Sequence, residues 1–470
     1  MFAAFIFVPF LLAFGFPSSG MAVFLLFASQ LALLGRQVKT GHVTGVGGFL
    51  FMSFLFFGMR PLYLFLENDY QLFSGLFRIQ VGLSDVVSGM WWGTAAMIAF
   101  WVGSILFREL GADWLKRRRQ RLAATPVLPI ITGSMVQRLI GFQIVTLPVM
   151  LALARGGRAI YGSALGAYAY DLPVPLQAVH IFALVVIFER YRRQSDRRYL
   201  GSLILSGSLF LVFTWLMREV SMFRGFYVAG VMIAGIALVQ RWKGRASYAW
   251  LIIPIVLLQP LFQVLGDLRY ASNEDLVVEQ VVERSYGEHG LTGAYWHFYH
   301  SGGDMNIFDT FVAAKAAEVT KRPYALSWLY VPMHFVPRAI WKEKPEKGIL
   351  QDVSFMNGAP YCPGIAGFFL LDGGKLWMLL SMALLGFLVS ALDGYVYTVP
   401  NAYLRACLLG IIVVNAMFLS RAYLWFYFYQ LLYAIVPCVA LVRLVGKYAR
   451  NPRRAAVAGK VTHVYRGSRP

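Results

Sequence analysis

The chain has 470 residues, of which 58% are hydrophobic and only 14% are charged. Soluble globular proteins carry roughly a quarter charged residues, so this composition excludes an ordinary soluble protein. The formal net charge is +20, but it does not favour nucleic-acid binding. The basic residues cluster beside apolar segments, where such residues determine topology and contact anionic lipid. Three cysteines cannot build a disulfide framework.

Apolar runs of the length that a helix needs to cross a bilayer recur along the chain. In lipid, backbone groups must find partners within their own segment, so these runs are expected to be helices. The sequence therefore predicts an all-α integral membrane protein with about twelve transmembrane helices (11–13). The predicted spans cover about 2–16, 20–35, 43–60, 86–107, 137–154, 174–189, 200–217, 225–240, 248–266, 374–393, 403–420 and 423–442.

The distribution of charge orients this bundle. Cytoplasmic span ends are enriched in Lys and Arg, and a cytoplasmic N-terminus collects more than half of these residues on one side. The basic segments are Arg36 with Lys39, Lys116 to Arg121, Arg190 to Arg198, Arg241 to Arg245, Arg405 and the tail from Arg443. The same parity predicts a cytoplasmic C-terminus. No basic residue precedes the first apolar run, so we expect no cleaved signal peptide.

One long polar interruption, at about 267–372, holds 13 of the 23 acidic residues and four of the seven histidines. It is predicted to lie on the outer side. Two amphipathic helices are predicted inside it, at about 304–319 and 324–335. Such helices commonly lie at the membrane interface, so we expect a cap resting on the bundle. The predicted organisation is a bundle of about nine helices at 1–266, a large loop at 267–373, C-terminal helices at 374–445 and a basic cytoplasmic tail at 446–470.

The outer ends of the predicted spans carry several arginines. They are Arg60, Arg155, Arg158, Arg218, Arg224 and Arg421. An arginine near hydrocarbon is costly and needs a partner or a function. Its guanidinium fork is suited to bidentate binding of phosphate, so a converging set would hold a pyrophosphate. The alternative is snorkelling to the interface, or pairing with Glu219, Glu67 or Asp69.

Two groups of residues could bind a metal on paper. Glu67 and Asp69 offer two carboxylates, and His297, His300 and Asp304 have a spacing that zinc ligands can adopt. Neither group includes a cysteine or is joined by a second cluster. We interpret them as a solvated loop and as surface or interfacial residues, and predict no metal.

His334 lies shortly before Pro337 and Arg338. A histidine titrates near neutral pH and could remove a proton from a hydroxyl group. The alternative is an interfacial residue that packs as an aromatic ring would.

The run from Val336 to Pro345 reads Val-Pro-Arg-Ala-Ile-Trp-Lys-Glu-Lys-Pro. It resembles the signature in the outer loop of Wzy-type oligosaccharide repeat-unit polymerases. Further stretches are similar in kind and order to elements of that family. They are Met222 to Gly225, Leu268 to Tyr270, Pro363 to Gly374 and Phe418 to Arg421. The resemblance covers about residue 218 to the last span, and the first half matches only as a generic bundle.

The resemblance implies a metal-independent glycosyltransferase with a GT-C-like bundle in the bacterial inner membrane. It would transfer a growing glycan from undecaprenyl pyrophosphate to a new lipid-linked repeat unit at the periplasmic face. The implied partners are undecaprenyl-pyrophosphate-linked glycans, membrane lipid, and a chain-length regulator and flippase of the same pathway. No cofactor and no nucleic acid are expected.

The resemblance also implies roles for individual residues. Catalytic roles are expected for Arg269, Arg338, His334 and Glu219, with His334 or Glu219 as the base. Substrate-binding roles are expected for Arg218, Arg224, Lys342, Lys344 and Arg421.

Three alternatives stay open. An O-antigen ligase shares the outer loop and the arginine pattern. A flippase or secondary transporter of lipid-linked sugars would show inverted repeats and charged residues buried at mid-membrane. The sequence shows no such repeat, and only Arg138 is a candidate for such a charge. The third alternative is a structural or assembly role.

Overall fold

The computed structural model describes residues 2–39, 41–74, 77–123, 131–161, 172–194, 197–220, 224–243, 306–316, 326–334, 363–421 and 424–449, with Tyr248, Val336 and Trp341 individually. The helices are α1 (Phe2–Phe14), α2 (Gly20–Lys39), α3 (Gly45–Phe54), α4 (Arg60–Leu66), α5 (Leu83–Ala123), α6 (Gly133–Tyr161), α7 (Pro173–Gln194), α8 (Arg197–Val220), α9 (Arg224–Lys243), α10 (Asn306–Ala316), α11 (Leu326–His334), α12 (Gly364–Thr398), α13 (Ala402–Leu419) and α14 (Leu424–Ala449). A π-helical turn, Leu55–Met59, joins α3 to α4. Between α4 and α5, β1 (Gln71–Ser74) and β2 (Phe77–Gln80) form an antiparallel hairpin.

Within the described residues, eight helical segments are long and apolar enough to cross a bilayer. They are Gly20–Lys39, Gly45–Leu66, Leu83–Gln120, Gly133–Leu153, Pro173–Arg193, Tyr199–Met217, Gly364–Thr398 and Ala402–Leu419. Each coincides with a predicted span, which confirms the prediction of a helical, multi-pass membrane protein. The helices α1, α9 and α14 also coincide with predicted spans but are not among these eight. The predicted span at 248–266 lies outside the described residues, apart from Tyr248.

The chain divides into two compact units, which are described separately. Unit 1 comprises Met1–Ala112, Ala246–Asp393 and Val413–Tyr429. Unit 2 comprises Asp113–Arg245, Gly394–Ile412 and Gln430–Pro470.

A buried glutamine ties three elements of unit 1 together. Pro61 has no N–H, so the carbonyl of Phe57, four residues earlier, has no donor at that position of the helix. Gln30 Nε2 of α2 donates to this carbonyl at 3.0 Å and to Thr94 Oγ1 of α5 at 2.7 Å. The polar side chain therefore satisfies a carbonyl that the proline leaves open, as burial requires.

Two long helices of unit 1, α5 and α12, run in the same direction. Near their starts, Lys375 Nζ of α12 lies 5.2 Å from the ring centroid of Trp92 of α5. Further along both helices, Ser390 Oγ donates to the carbonyl of Ser104 at 3.1 Å.

These two helices touch through their backbones. Gly103 lies against the backbone of Ala383, and Gly386 lies against the backbone of Phe100. Small residues allow membrane helices to approach this closely, and the resulting packing drives their association. A Cβ atom at either glycine would meet main-chain atoms, so α5 and α12 form a fixed pair.

The helix α12 is broken near its start. Gly373 (φ −172°, ψ 18°) and Gly374 (φ 78°, ψ −170°) leave the helical conformation, and the positive φ of Gly374 favours glycine. The piece from Gly364 to Asp372 is buried throughout. The helix therefore begins inside the range predicted as loop, and the predicted start near 374 marks only its second piece.

In unit 2, α6, α7, α8 and α9 pack against one another. Near the end of α7, the fully buried carboxylate of Glu189 accepts hydrogen bonds from three guanidinium groups. The ion-pair distances are 3.2 Å to Arg192, 2.7 Å to Arg193 and 2.7 Å to Arg241. Arg241 belongs to α9, so the cluster joins the ends of two helices.

His180 forms a buried polar contact between α6 and α7. Thr146 Oγ1 donates to the carbonyl of Gln143 at 2.8 Å, so it accepts from His180 Nε2 at 2.7 Å. The other ring nitrogen, Nδ1, then accepts from Gln143 Nε2 at 3.4 Å. Phe213 covers the ring at a centroid distance of 4.2 Å. The hydrogen bonds thus select one tautomer and hold the ring in place.

Candidate functional site

The helix α10 is inserted into unit 1. Phe308 and Phe311 are fully buried, and both rings meet Phe57 of the π-helical turn edge-on, with centroids 6.3 and 5.2 Å away. On the side of α5, Gly89 lies against the side chain of Val312, and a Cβ atom would collide with it. The helix thus fits a groove that a glycine keeps open.

The two helices predicted inside the polar interruption are present. The helix predicted at 304–319 is α10, and the helix predicted at 324–335 is α11. Almost all of the described side chains of α10 are buried, and the expected position of this helix at the membrane interface stays a prediction. α11 is not amphipathic among its described side chains, because its exposed residues Leu329 and Pro332 are apolar and Ser327 is buried.

An ion pair anchors α10 to the start of α4. Arg60 Nε and Nη2 donate to Asp309 Oδ1 and Oδ2 at 3.1 and 2.8 Å. The side chains are 1% and 0% exposed. Arg60 was predicted to bind phosphate or to pair with Glu67, Asp69 or Glu219. The structure pairs it with Asp309, in a bidentate geometry that neutralises a charge inside the bundle.

The helix α11 is fixed to α12 at the Gly373–Gly374 break. The backbone N–H of Ser327, in its first turn, donates to Asp372 Oδ2 at 2.9 Å. Trp328 stacks on Phe369 with a centroid distance of 5.7 Å and an interplanar angle of 5°. Its indole N–H also donates to Ser381 Oγ at 3.1 Å. The helix α11 therefore contacts α12 on both sides of the break. The run that resembles the polymerase signature follows this helix in the chain.

Three segments singled out in the sequence meet beside Arg421. The carbonyl of Ser420 accepts from the N–H of Ile365 at 3.4 Å. Gly364 has φ 68° and lies against both that carbonyl and the side chain of Ile307 of α10. The exposed Arg421 thus lies next to the glycine-rich re-entry and the first turn of α10.

Two lysines that the sequence analysis did not single out belong to α10 and α12 of unit 1. Lys315, in the last turn of α10, is half-buried, and Lys375 is exposed just after the break in α12. Burial lowers the pKa of Lys315, Asp85 of α5 raises it, and the positive charge of Lys375 lowers it. A lone lysine on an amphipathic helix resembles an ordinary solvated residue, so the sequence carries no signal for this pair.

The site lies at the end of unit 1 where α5 begins. The basic run Lys116 to Arg121 lies near the other end of this helix, which has 41 residues and spans about 60 Å. That length exceeds the roughly 30 Å of hydrocarbon in a bilayer.

Other predicted residues belong to unit 2 or have no described side chain. Arg218 and Glu219 lie in the last turn of α8, and Arg224 begins α9, so these three bracket one short connection. Arg155 of α6 is exposed.

Among the described residues, only the backbone is known for Arg158, Arg218, Glu219, Arg224 and His334. Arg269, Arg338, Lys342, Lys344, His297, His300 and Asp304 lie outside the described residues. His334 ends α11.

Glu67 and Asp69 follow the end of α4. Glu67 is exposed, and Asn68 adopts φ 51°, which turns the chain out of the helix. Within the part of the chain that the structure describes, no group of three or more His, Cys, Asp or Glu side chains could hold a metal ion.

Other titratable side chains are also buried in the helices. Besides Glu189 and the neutral His180 ring, Asp393 of α12 is buried and accepts from the backbone N–H groups of Gly45 and Val46 at 2.8 and 3.1 Å. Glu189 and Asp393 lie at the ends of predicted spans, so the expectation for a charge at mid-membrane stays a prediction, and Arg138 is exposed near the start of α6. Each of the three buried groups bonds to nearby helices.

The fold and the site define the chain as a multi-pass α-helical membrane protein with a polar segment built into its bundle. Comparison with protein-family models, with curated proteins and with solved structures finds no match.

Proposed function

We propose that the chain polymerises undecaprenyl-pyrophosphate-linked oligosaccharide repeat units of an O-antigen, capsule or exopolysaccharide. It would act at the periplasmic face of a bacterial inner membrane, with about twelve spans and cytoplasmic termini. The observation that carries the proposal is the insertion of α10 into the bundle through Arg60 and Asp309. This contact anchors one helix of the predicted outer loop in unit 1, which supports a role for that loop at the bundle.

The position of α10 supports the proposed orientation. It packs near the start of α5, whereas Lys116 to Arg121 lie near the end of that helix. Basic residues of this kind remain on the cytoplasmic side. The inserted segment would then lie on the periplasmic side, where lipid-linked repeat units are joined.

The proposed reaction needs charge neutralisation and positioning. A hydroxyl of the incoming repeat unit attacks the anomeric carbon of the growing glycan, and the bond from that carbon to the pyrophosphate oxygen breaks. The undecaprenyl pyrophosphate leaves with the bonding electrons, and a base takes the hydroxyl proton. Fixed guanidinium groups can stabilise the leaving anion, while the site aligns the two reactants.

The proposed roles follow the arginine and histidine positions. Arg269, Arg338, Arg224 and Arg421 would bind the pyrophosphate, with Arg218, Lys342 and Lys344 assisting. His334 or Glu219 would act as the base. The exposure of Arg421 beside α10 supports its part in this set.

The test uses full-length protein purified in detergent and supplied with lipid-linked repeat units. We expect elongation of the glycan, and a loss of at least about a hundredfold in Arg338→Ala and Arg269→Ala, because stabilisation of the leaving charge is a large catalytic contribution. Lys116→Ala, at the other end of α5, is the matched control and should elongate normally. Normal elongation by well-folded Arg338→Ala and Arg269→Ala would overturn the site assignment.

The buried carboxylates of Glu189 and Asp393 favour transport of lipid-linked saccharides as a second candidate, because transporters bury charged groups within their helices. Elongation in detergent, where there is no bilayer to cross, would reject transport as the main activity. In a deletion strain, single repeats on the carrier would support the polymerase, whereas full-length unattached polymer would indicate a ligase.

A further inference from the structure

One carboxylate of unit 2 is shared by more guanidinium groups than it can neutralise. Glu189 of α7 is fully buried, and its two oxygens lie within 3.3 Å of five guanidinium nitrogen atoms. A carboxylate has about four lone-pair positions, so this one cannot accept further hydrogen bonds. The guanidinium groups belong to Arg192 and Arg193 of α7 and to Arg241 of α9. Together with Glu189, the three arginines therefore carry an excess of positive charge.

The accessible part of this cluster consists of hydrogen-bond donors. The side chains of Arg192 and Arg193 are 43% and 52% exposed, whereas that of Glu189 is 0% exposed. Arg193 donates to Glu189 through Nε at 2.7 Å. Its two terminal nitrogen atoms have no acceptor within the described part of the chain. A ligand that approaches from outside would therefore meet positive charge and N–H groups rather than the carboxylate.

Tyr403 of α13 lies beside two of these arginines. Its ring centroid is 6.0 Å from Cζ of Arg193 and 5.5 Å from Cζ of Arg241. The side chain is 2% exposed, and its hydroxyl has no hydrogen-bond partner among the described residues. Buried hydroxyl groups normally have a partner. An oxyanion bound beside the arginines would supply that acceptor.

The position of the cluster along the helices indicates the source of such an anion. Arg193 ends the membrane-spanning segment Pro173–Arg193. Trp242, next to Arg241 in the chain, is exposed at the end of α9. Tryptophan and basic residues concentrate where lipid headgroups meet hydrocarbon, and basic pockets between membrane helices bind anionic headgroups. An anion at this level is therefore the phosphate of a lipid headgroup.

We propose that the three arginines and Tyr403 form a binding site for the phosphate of an anionic phospholipid. The fork of guanidinium donors is suited to bidentate binding of phosphate and keeps its charge at any relevant pH.

Glu189 is a positioning residue in this site, because it holds guanidinium groups from α7 and α9 at one place. None of these residues has a part in the proposed glycosyl transfer, so the lipid site is independent of the proposed function.

The test measures lipid binding by the full-length protein in a neutral detergent. The protein is titrated with phosphatidylglycerol, and bound lipid is counted by native mass spectrometry. The double variant Arg192→Gln with Arg193→Gln should bind this lipid about tenfold or more weakly than the wild type, because two charge-assisted contacts are lost. The matched control, Arg117→Gln with Arg119→Gln, removes the same charge from exposed positions of α5 and should retain the affinity.

A second probe distinguishes a lipid phosphate from a soluble one. Inorganic phosphate at the same concentration should leave phosphatidylglycerol bound, because it lacks the acyl chains that hold a headgroup at this level. Displacement of the lipid by inorganic phosphate would identify a soluble anion as the ligand and overturn the lipid assignment. Unchanged lipid binding by a double variant that melts at the wild-type temperature would overturn the site. An equal loss in the control variant would overturn it too, because the attraction would then be general to basic helix ends.

Glu189→Gln gives a readout that a purely structural cluster would not show, and it keeps the proposal testable if the double variant fails to fold. Removing the carboxylate leaves the guanidinium groups without their partner, so the variant should melt at a lower temperature. It also removes a competing negative charge, so the affinity for phosphatidylglycerol should rise about threefold or more. Bound lipid should therefore raise the melting temperature of this variant more than that of the wild type. A lower melting temperature with no gain in affinity would overturn the inference.

Tyr403→Phe tests the buried hydroxyl alone. The aromatic ring beside the arginines is retained, so the melting temperature should change little. The affinity for phosphatidylglycerol should fall about fivefold, because one hydrogen bond to the phosphate is lost. Unchanged affinity would exclude Tyr403 from the site.

Discussion

The two halves of α10 hold their charges in opposite ways. In the first half, Asp309 is buried with Arg60 in a matched pair. Six residues later, Lys315 is half-buried, and burial lowers its pKa while the charge of Asp85 raises it. Asp309 is neutralised by its partner, whereas no described carboxylate oxygen lies within 4.0 Å of Lys315. One short helix thus carries a paired buried charge in its first half and a half-buried charge outside any described ion pair in its second half.

Asp309→Ala should have the largest effect on this comparison, because it removes the carboxylate that pairs with Arg60. Breaking a buried ion pair by removing one partner costs about 3–5 kcal/mol. We expect a decrease of that size in the free energy of unfolding, measured in detergent, together with loss of elongation. Asp113→Ala, at an exposed position of α5, is the control. Wild-type stability in Asp309→Ala would refute the anchoring role of the pair.

The double variant Arg60→Met with Asp309→Leu separates charge from packing at the same contact. Replacing a buried ion pair by apolar residues of similar volume is often neutral or stabilising. We therefore expect it to recover most of the stability lost in Asp309→Ala. A double variant as unstable as the single one would mean that α10 needs the ionic contact itself.

Gly89→Val tests the same half of α10 without changing any charge. The added side chain would meet Val312, and overpacking of this kind costs about 1–3 kcal/mol. The expected result is a lower melting temperature and easier proteolysis near α10. Gly207→Val is the matched control, because nothing lies within 4 Å of a Cβ atom at Gly207. Equal effects of both substitutions would indicate a general response to β-branched residues in a helix.

Asp372→Ala tests whether α11 is held independently of α10. The carboxylate accepts the N–H of Ser327 in the first turn of α11, and losing such a cap costs about 0.5–2 kcal/mol. We expect faster hydrogen exchange in α11 and unchanged exchange in α10. Asp372→Asn keeps an oxygen acceptor and should lie between the wild type and Asp372→Ala. Loosening of both helices together would contradict separate anchoring.

Asp85→Asn should have the smallest effect on stability, within about 0.5 kcal/mol, because the side chain is exposed. The free energy of unfolding in detergent provides the measurement, and a loss larger than this would show that the Asp85 carboxylate contributes to folding.

The helices could be predicted from the sequence because their length and hydropathy are local properties. The start of α12 could not, since Asp372 and the two glycines after it resemble the end of a loop. In the structure, the Asp372 carboxylate accepts a hydrogen bond from the backbone N–H of Ser327, and no local sequence pattern predicts this contact. The burial of α10 against α5 was also not predicted, because Gly89 and Val312 are far apart in the sequence and come into contact only in the fold.

The candidate site was less predictable than the fold. Arg60 was recognised as a costly charge. Its partner Asp309 lies 249 residues away in the sequence, whereas the prediction paired Arg60 with acidic residues that are closer in the sequence. Lys315 was not singled out because one lysine on a short helix resembles an ordinary solvated residue. Arg269 and Arg338 stay predictions, since they lie outside the described residues.

The backbone contact between α5 and α12 also bears on how homologous chains could diverge. Each residue added to a helix rotates everything beyond it by about 100°. One insertion between Gly103 and the end of α5, or between Gly386 and the end of α12, would turn the later side chains onto a different face of the helix. We therefore expect homologous chains to vary in the segments that connect the helices, and to keep the number of residues between each glycine and the end of its helix.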